Sequence, residues 1–388
     1  MQPAGSTSTL GPPPHLGQAS GAPTPAAGAR HRLVLLVSLL GTVVVGMLVA
    51  VQSRVNGEVA TVLVPGVTGG WRGPGGDRVA AGLDAAVLSF GIGWVVLVVT
   101  SLLTPRGRRG LRAVLSALRH GRLRWWQALG GTAGAAFVAA QGIAVPVLGV
   151  AVFTVACVAG LTVGSLLVDR LGLSPNGPRP FTVRRVVGCL LAVAGVALSV
   201  SSSLLGGLGL AAGVLVVVLV VALALAVGAG TAAQQAVNGH VAIHAGSPWT
   251  AGLVNFSTGL AVLLPARLLL VGTVPPAPLP TAWWSYLSGP IGMSFIILAA
   301  LLVRTLGVLL LSLGNTAGQL VGSITLDELL PTEAGRPGVV EMLAALLIFA
   351  AVVLAASRPR RSRGGAPTDG SAGPPVEAGA TPADAPRP

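Results

Sequence analysis

Long apolar runs, separated by short polar segments, fill the chain between residues 33 and 356. Each run is near the roughly 20 residues that an α-helix needs to cross about 30 Å of hydrocarbon. A helix also satisfies its own backbone hydrogen bonds, which a bilayer cannot do for it. The pattern therefore predicts an all-α membrane protein with ten transmembrane helices, whose cores are Leu33–Val51, Val79–Leu103, Trp125–Val145, Val147–Val168, Val183–Leu205, Leu208–Gln234, Trp249–Val271, Trp283–Val303, Leu306–Leu326 and Val339–Ala356.

The chain also contains an internal duplication. Segment 50–60 returns as segment 232–242, with the shared pattern Gln-x-x-x-Asn-Gly-x-Val-Ala. Further pairs follow in the same order, namely segments 88–93 and 254–259, Trp125-Trp126 and Trp283-Trp284, and Gly160-x-x-x-Gly164 and Gly318-x-x-x-Gly322. A duplicated, strongly apolar chain is typical of a transporter that is built from two structural repeats.

Each half of the chain holds five predicted helices. Because five is an odd number, the second half enters the membrane upside down relative to the first, which predicts two inverted five-helix repeats. The predicted organisation is a first repeat over residues 30–205 and a second over residues 206–357. The tails, residues 1–29 and 358–388, are rich in Gly, Pro, Ala, Ser and Thr, a composition typical of disorder.

Composition supports a membrane protein and excludes a nucleic-acid surface. The chain is 53% hydrophobic and 9% charged, too apolar for an ordinary soluble domain. All 24 basic residues are arginines that lie in the tails and between the apolar runs, and Tyr286 is the only tyrosine. The arginines are concentrated on the side that holds both termini, so the positive-inside rule predicts that both termini are cytoplasmic.

Three short motifs carry a family resemblance: Gln52-x-x-x-Asn56, the Ser89-Phe90-x-x-Gly93 region, and Gly318-Gln319 followed by Asp327. With them the chain resembles the YdcZ-like membrane proteins of the drug/metabolite transporter (DMT) superfamily, which occur as five-helix units. It looks like a tandem fusion of two units over about residues 33–357. The resemblance implies a bacterial inner-membrane transporter, an exporter of small molecules, whose two inverted halves surround a central cavity.

One departure from the family separates the two halves. The Gly-Gln pair of the family is kept as Gly318-Gln319 in the second half but is Gly160-Leu161 in the first. This difference argues against any role that requires both halves to act identically.

Amide side chains are the candidate substrate-binding groups. Gln52 and Asn56 are four residues apart and share one helical face, and Gln234 and Asn238 repeat that arrangement. Such amides offer hydrogen bonds to a polar substrate, or they join helices to one another, an interaction worth about 0.6 kcal/mol on average in membrane proteins. The full candidate set is Gln52, Asn56, Gln234, Asn238, Gln141, Asn255, Asn315 and Gln319.

Charged and metal-binding candidates are few. Glu58 and Asp84 are the carboxylates considered for ion coupling, although both are predicted near the membrane interface. His240 and His244 have the spacing of two metal ligands but lack a third nearby ligand in sequence. We therefore expect no metal, no cofactor and no catalytic residues.

Small-residue faces such as Gly160-x-x-x-Gly164 and Gly318-x-x-x-Gly322 allow helix backbones to approach closely. Such a face serves packing within one chain or a homodimer. Two functions remain open from the sequence: a transporter of small molecules across the lipid bilayer, or a membrane scaffold that binds a partner without moving a solute. An intramembrane enzyme is least favoured, because ionisable residues are scarce within the spans.

The duplication predicts that Gln52→Ala and Gln234→Ala each impair transport while the protein remains inserted and abundant. The physical reason is that both amides would line one path under the repeat symmetry. Solute flux in proteoliposomes, normalised to the amount of folded protein, is the measurement. Full activity of the double variant would refute a role for these amides in lining the path.

Overall fold

The computed structural model describes residues 25–63, 74–173, 178, 181–205, 211–272, 278–332 and 335–356. Within those ranges all regular elements are helical. Short 3-10 turns at Trp125–Ala128 and Trp283–Tyr286 precede two of the long helices. The α-helices are α1 (Pro25–Val62), α2 (Pro74–Leu103), α3 (Pro105–Arg119), α4 (Gly130–Arg170), α5 (Val183–Leu205), α6 (Ala211–Ala245), α7 (Pro248–Val271), α8 (Ser288–Leu329) and α9 (Val339–Ala356).

The predicted tails fall largely outside the described residues, which begin at Pro25 and end at Ala356. Helix α1 begins at Pro25, within the segment that the sequence assigns to the N-terminal tail, and continues to Val62. The amide pair Gln52 and Asn56 therefore lies inside α1 rather than at its end. At 1.5 Å per residue, Gln52 is about 15 Å from the end of the helix.

The helices are those of a membrane protein. Seven segments among the described residues are long and apolar enough to span a membrane, including Leu33–Val62 and Gly213–Ala245. Large apolar side chains cover the outward faces of these helices; Leu269 is 82% exposed and Leu40 is 66% exposed. Exposed apolar surface on this scale is what contact with lipid requires.

Helix α4 reverses direction at Gly149. This residue has φ 77° and ψ 167°, outside the helical region, and its positive φ is one that glycine adopts at little cost. The rings of Phe137 and Phe153 are 5.9 Å apart, whereas sixteen residues of straight helix would separate them by about 24 Å. Residues 130–148 and 150–170 are therefore two limbs that lie side by side.

Helix α8 also reverses direction, as its contacts with α1 show. Contacts from residues 288–302 of α8 move back along α1, from residue 52 to residue 41. Contacts from residues 314–322 then move forward along α1, from residue 42 to residue 50. The direction of α8 relative to α1 therefore reverses between residues 302 and 314.

Glycines place these helices in backbone contact. Gly318 lies against the carbonyl of Val43 in α1, and Gly160 lies against the carbonyl of Leu225 in α6. Gly164 and Gly322 continue the same two seams. The small-residue faces found in the sequence are thus used within the chain, where close approach increases van der Waals contact between helices.

Helix α3 is a short amphipathic helix that lies between the second and third predicted spans. Val114 and Ala117 are buried against Val241, Ala245 and Ala251 of α6 and α7. Its polar face carries arginines that are exposed to solvent: Arg106, Arg108, Arg109, Arg112 and Arg119. The arginines of this segment therefore form one charged helical face.

Substituting Gly318 with Ala should destabilise the protein, because the added methyl group overlaps the carbonyl oxygen of Val43. Overpacking of this kind costs about 1–3 kcal/mol. Unfolding in mixed detergent micelles measures the change in free energy.

The matched control is Gly91→Ala. No atom lies within 4 Å of a Cβ at that position in α2, so alanine should leave stability unchanged or raise it by up to about 1 kcal/mol. Equal losses for Gly318→Ala and Gly91→Ala would contradict the backbone seam between α1 and α8.

Candidate substrate cavity

A cavity of about 110 Å³ lies among α1, α2, α4, α6, α7 and α8. Both halves of the duplicated sequence contribute to its wall, and among the described residues every side chain of the wall is apolar, a thiol, a hydroxyl or an amide. The lining residues are Val49, Gln52, Phe90, Gly134, Phe137, Val138, Cys157, Val158, Leu161, Gly228, Thr231, Gln234, Gln235, Asn255, Phe256, Gly292, Phe295, Ile296, Asn315 and Gln319.

Most of the lining consists of duplicated pairs. Gln52 lies against Gly292, and its counterpart Gln234 lies against Gly134. The first contact joins α1 to α8, and the second joins α6 to α4. Each contact therefore connects one half of the chain to the other. The remaining pairs in the wall are Val49 with Thr231, Phe90 with Phe256, Phe137 with Phe295, Val138 with Ile296, Cys157 with Asn315, and Leu161 with Gln319.

The two phenylalanines of the repeated Phe-x-x-Gly pattern meet in the wall. The ring centroids of Phe90 and Phe256 are 4.7 Å apart with an interplanar angle of 31°. The ring of Phe256 lies against Gly93, and the ring of Phe90 lies against Gly259. Phe and Gly three residues apart lie on one face of a helix. The phenylalanine of α2 therefore packs on the glycine of α7, and the phenylalanine of α7 packs on the glycine of α2.

Five of the eight predicted substrate-binding amides line the cavity. They are Gln52, Gln234, Asn255, Asn315 and Gln319. The amide nitrogen of Gln52 donates to the carbonyl of Ser288 at 3.2 Å. The side-chain oxygen of Asn315 is buried without a hydrogen-bond partner among the residues that the structure describes.

The other three amides lie outside the cavity wall and join side chains within one half. Asn56 donates to the side-chain oxygen of Gln141 at 2.6 Å, and Gln141 donates to the hydroxyl of Ser53 at 2.8 Å. Both Asn56 and Gln141 are completely buried. In the second half, Asn255 donates to Asn238 at 3.2 Å. Asn56, Gln141 and Asn238 therefore stabilise the wall rather than form it.

Both carboxylates considered for coupling are paired with arginines. Glu58 forms an ion pair with Arg54 one turn away in α1. Asp84 is buried in α2 and receives a hydrogen bond from Arg267 of α7 at 2.9 Å. The structure places neither carboxylate in the cavity wall.

Asp327 has a structural partner that the sequence does not reveal. Its two carboxylate oxygens accept hydrogen bonds from the backbone N–H groups of Val150 at 3.0 Å and Ala151 at 2.7 Å. These groups begin the second limb of α4, just after the reversal at Gly149, and have no intrahelical acceptor. Asp327 therefore caps a helix of the other half. Its duplicate, Asp169, instead pairs with Arg185.

The histidine pair bonds to backbone carbonyls. A ring nitrogen of His240 is 3.1 Å from the carbonyl oxygen of Leu173, and one of His244 is 2.9 Å from that of His240. Within the described ranges, no group of three or more His, Cys, Asp or Glu side chains has the arrangement of a metal site.

Apolar helices of membrane length around a cavity of amides and aromatic rings define a class, the helical membrane transporters. A family model described as "Putative inner membrane exporter, YdcZ" matches residues 76–198 and, a second time, residues 204–354. The two matches cover most of the chain, which therefore belongs to this YdcZ family of the DMT group. No curated protein matches the chain.

The two matches confirm the family resemblance found in the sequence. They differ from each other in how much of each half they cover. The first begins at residue 76, so Gln52 and Asn56 precede it, whereas the second includes Gln234 and Asn238. Membership in a family of transporters argues against an enzyme. The family also implies a small-molecule substrate and a lipid environment.

Replacing Gln141 with Leu should destabilise the protein by about 1–3 kcal/mol, because the buried amide of Asn56 loses its acceptor. The free energy of unfolding in micelles is the measurement. Gln319→Leu is the matched control, since it removes the same amide from the half-buried cavity wall. If the Gln319 variant loses as much stability as the Gln141 variant, the assignment of Gln141 to a structural network fails.

Proposed function

We propose that the chain is a ten-span exporter of small molecules, in which two inverted five-helix repeats expose the cavity to each side of the membrane in turn. The observation that carries the proposal is the composition of the cavity wall. Equivalent residues of the two halves, such as Gln52 and Gln234 or Phe90 and Phe256, face one space. A cavity at the interface of two repeats is the arrangement from which alternating access works.

The reversals in α4 and α8 support ten spans. Each helix has two limbs, and each limb is about as long as a membrane-spanning helix. Counted as separate spans, these four limbs and the remaining membrane-length helices α1, α2, α5, α6, α7 and α9 make ten. Helix α3 lies outside this set because it is short and carries exposed arginines.

The directions of the helices support inversion. Helix α1 runs with the first limb of α4, because Ser53 contacts Gln141 and Gly57 lies against Val145. Helix α6 runs against the same limb, with Asn238 near Gly130 and Gln234 near Gly134. The duplicated helices α1 and α6 therefore run in opposite directions, as inverted repeats require.

The arginines support an orientation. The end of the bundle that holds Asp169 also holds α3, Arg170, Arg184 and Arg185. We assign this end to the cytoplasm by the positive-inside rule. The N-terminus of α1 and the C-terminus of α9 both belong to the same end, so the proposed orientation has both termini in the cytoplasm. We call the opposite end, where Asp327 caps the second limb of α4, the Asp327 end.

The two ends of the bundle differ in their contacts. Asp327 binds backbone groups of the other half at one end, whereas Asp169 pairs with Arg185 of its own half at the other. The lining residues without a duplicate in the wall include Gln235 and Asn255, which lie toward the Asp169 end of α6 and α7. We infer that this conformation is closed by Asp327 and that the cavity extends toward the cytoplasm.

A homodimer through the GxxxG faces is not part of the proposal. Gly160, Gly164, Gly318 and Gly322 all contact helices of the same chain. A second copy would have to displace α1 or α6 to reach them.

Alternating access predicts that a cysteine at Thr231, in a background of Cys157→Ser and Cys189→Ala, reacts with an impermeant maleimide added to either face. Thr231 lines the cavity between the halves, so each state exposes it to one side. Labelling rates in oriented vesicles are the measurement. Arg119→Cys on the exposed face of α3 is the sidedness control and should react from one face alone.

Replacing Asp327 with Asn should raise the labelling rate of Thr231→Cys about tenfold from the Asp327 end and leave the opposite rate unchanged or lower. An amide offers one acceptor where the carboxylate offers two, and bonds to a charged group are worth about 1.5–3 kcal/mol. Asp169→Asn is the matched control and should not raise that rate. Reaction of Thr231→Cys from one face only, with and without Asp327→Asn, would favour a scaffold over a transporter.

A further inference from the structure

The segment between α2 and α4 concentrates positive charge and contains no carboxylate. No Asp or Glu occurs in the sequence between Asp84 and Asp169. None of the ion pairs found among the described residues includes an arginine of this segment. Its charge is therefore not neutralised within the described part of the chain. The seven arginines of the segment, all exposed, are Arg106, Arg108, Arg109, Arg112, Arg119, Arg122 and Arg124.

The guanidinium groups of this segment keep most of their donors for an external partner. Arg108 donates to the carbonyl of Leu102 at 3.2 Å, and Arg112 donates to the carbonyl of Arg108 at 3.3 Å. Each guanidinium carries several N–H donors, so one such bond leaves most of them for other acceptors. Arg108 and Arg112 also lie one turn apart, where like charges destabilise a helix. An anion bound between them removes this repulsion.

One edge of α3 combines arginines with exposed apolar surface. Arg108, Arg112, Leu115 and Arg119 are separated by four, three and four residues, which puts them on one side of the helix. Leu115 is 47% exposed, although Val114 beside it is buried. We call these four residues, Arg108, Arg112, Leu115 and Arg119, the α3 edge.

The neighbours of α3 in the chain locate it at the membrane surface. Helix α2 ends just before α3, and its last residues, Leu102 and Leu103, are 51% and 74% exposed, as lipid-facing side chains are. Trp125, which follows α3, is 73% exposed, and tryptophan is enriched at membrane–water interfaces. Because α3 connects these two points, it lies at the level of the lipid headgroups.

Arginine beside leucine on one helix edge matches the chemistry of a phospholipid surface. Guanidinium groups bind phosphate with paired hydrogen bonds, and their apolar stems lie along the acyl boundary while the charged ends reach the headgroups. Clusters of arginine beside a span attract anionic lipids. A nucleic acid also offers phosphates, but it would leave Leu115 in water. The apolar residue within the α3 edge therefore favours lipid.

We propose that the α3 edge binds the phosphate headgroups of anionic phospholipids, with Arg108, Arg112 and Arg119 on the phosphates and Leu115 at the boundary of the acyl chains. The positive-inside rule concerns only which side of the membrane receives the arginines, whereas this proposal gives one edge a preference for one class of lipid. Gly110 of α3 lies against the end of α6, so the bound lipid contacts a helix that packs on the second half of the chain. The proposal goes beyond the proposed function and does not depend on transport.

The test measures which lipid lies next to residue 115. Leu115→Cys, in the background of Cys157→Ser and Cys189→Ala, carries the small apolar fluorophore bimane, and the full chain is reconstituted in phosphatidylcholine membranes. Phosphatidylglycerol or phosphatidylcholine with a nitroxide near the start of its acyl chain is then added at equal low fractions and quenches the bimane at short range. We expect the quenching constant of phosphatidylglycerol to be about tenfold that of phosphatidylcholine. The ratio should fall toward one at about 1 M salt, which screens exposed charges.

Two sets of substitutions separate the α3 edge from positive charge in general. Arg108→Gln, Arg112→Gln and Arg119→Gln together should bring the ratio of quenching constants to within about twofold of one, because the headgroup loses its donors and its counter-charge. The matched control removes the same charge at the same end of the bundle but outside the edge, and it should lower the ratio less than about twofold. It consists of Arg106→Gln, Arg109→Gln and Arg184→Gln. Thermal unfolding in micelles checks that both sets are folded, and the comparison of lipids on the chain with all its arginines depends on neither set.

Equal quenching by the two lipids, or quenching by neither, would overturn the proposal. An equal loss in both sets of substitutions would assign the preference to net charge and overturn the role of the α3 edge. Displacement of phosphatidylglycerol by a short single-stranded RNA at about 0.15 M salt would assign the arginines to nucleic acid, and displacement by inorganic phosphate would assign them to a free anion. The labelling of Thr231→Cys is a separate measurement, so failure of the lipid test leaves the test of transport intact.

Discussion

Backbone contact between glycine-lined helices is the constraint on which the cavity depends. Helix α1 packs against α8 at Gly318 and Gly322, and helix α6 packs against α4 at Gly160 and Gly164. Helices do not associate in a bilayer through the hydrophobic effect, since lipid is as apolar as leucine, and close van der Waals packing takes its place. These two seams hold the first helix of each half against the other half, and the cavity is the space that remains between them.

The reversal of α4 shows how the protein satisfies buried backbone groups at a turn between two spans. A turn of direction at Gly149 leaves the first N–H groups of the next limb without acceptors, and Val150 and Ala151 are buried, so these groups need a partner from the protein. Asp327 accepts hydrogen bonds from Val150 and Ala151. Because Asp327 belongs to the other half, the same hydrogen bonds that complete a helix also join the two repeats. One carboxylate thus caps the second limb of α4 and also connects the two halves of the chain.

The duplicated halves have diverged at the cavity wall. The paired Gln52 and Gln234 keep the repeat symmetry at the cavity. At equivalent positions of the wall, the second half has Asn315 and Gln319 where the first half has Cys157 and Leu161. Asymmetry of this kind orients a bound molecule, which two identical walls around a twofold axis do not.

The sequence by itself determined the membrane class, the duplication and the family, because apolar run length and repeated motifs depend on the bilayer and on ancestry rather than on tertiary contacts. It also identified the amides, and five of them line the cavity. Only the tertiary structure separated these five from Asn56, Gln141 and Asn238. Helical spacing shows which residues share a face, but it does not show whether that face contacts the cavity or another helix. The cap by Asp327 could not be predicted from the sequence either. Its partners are backbone N–H groups 177 and 176 residues away, and every residue type except proline carries such a group.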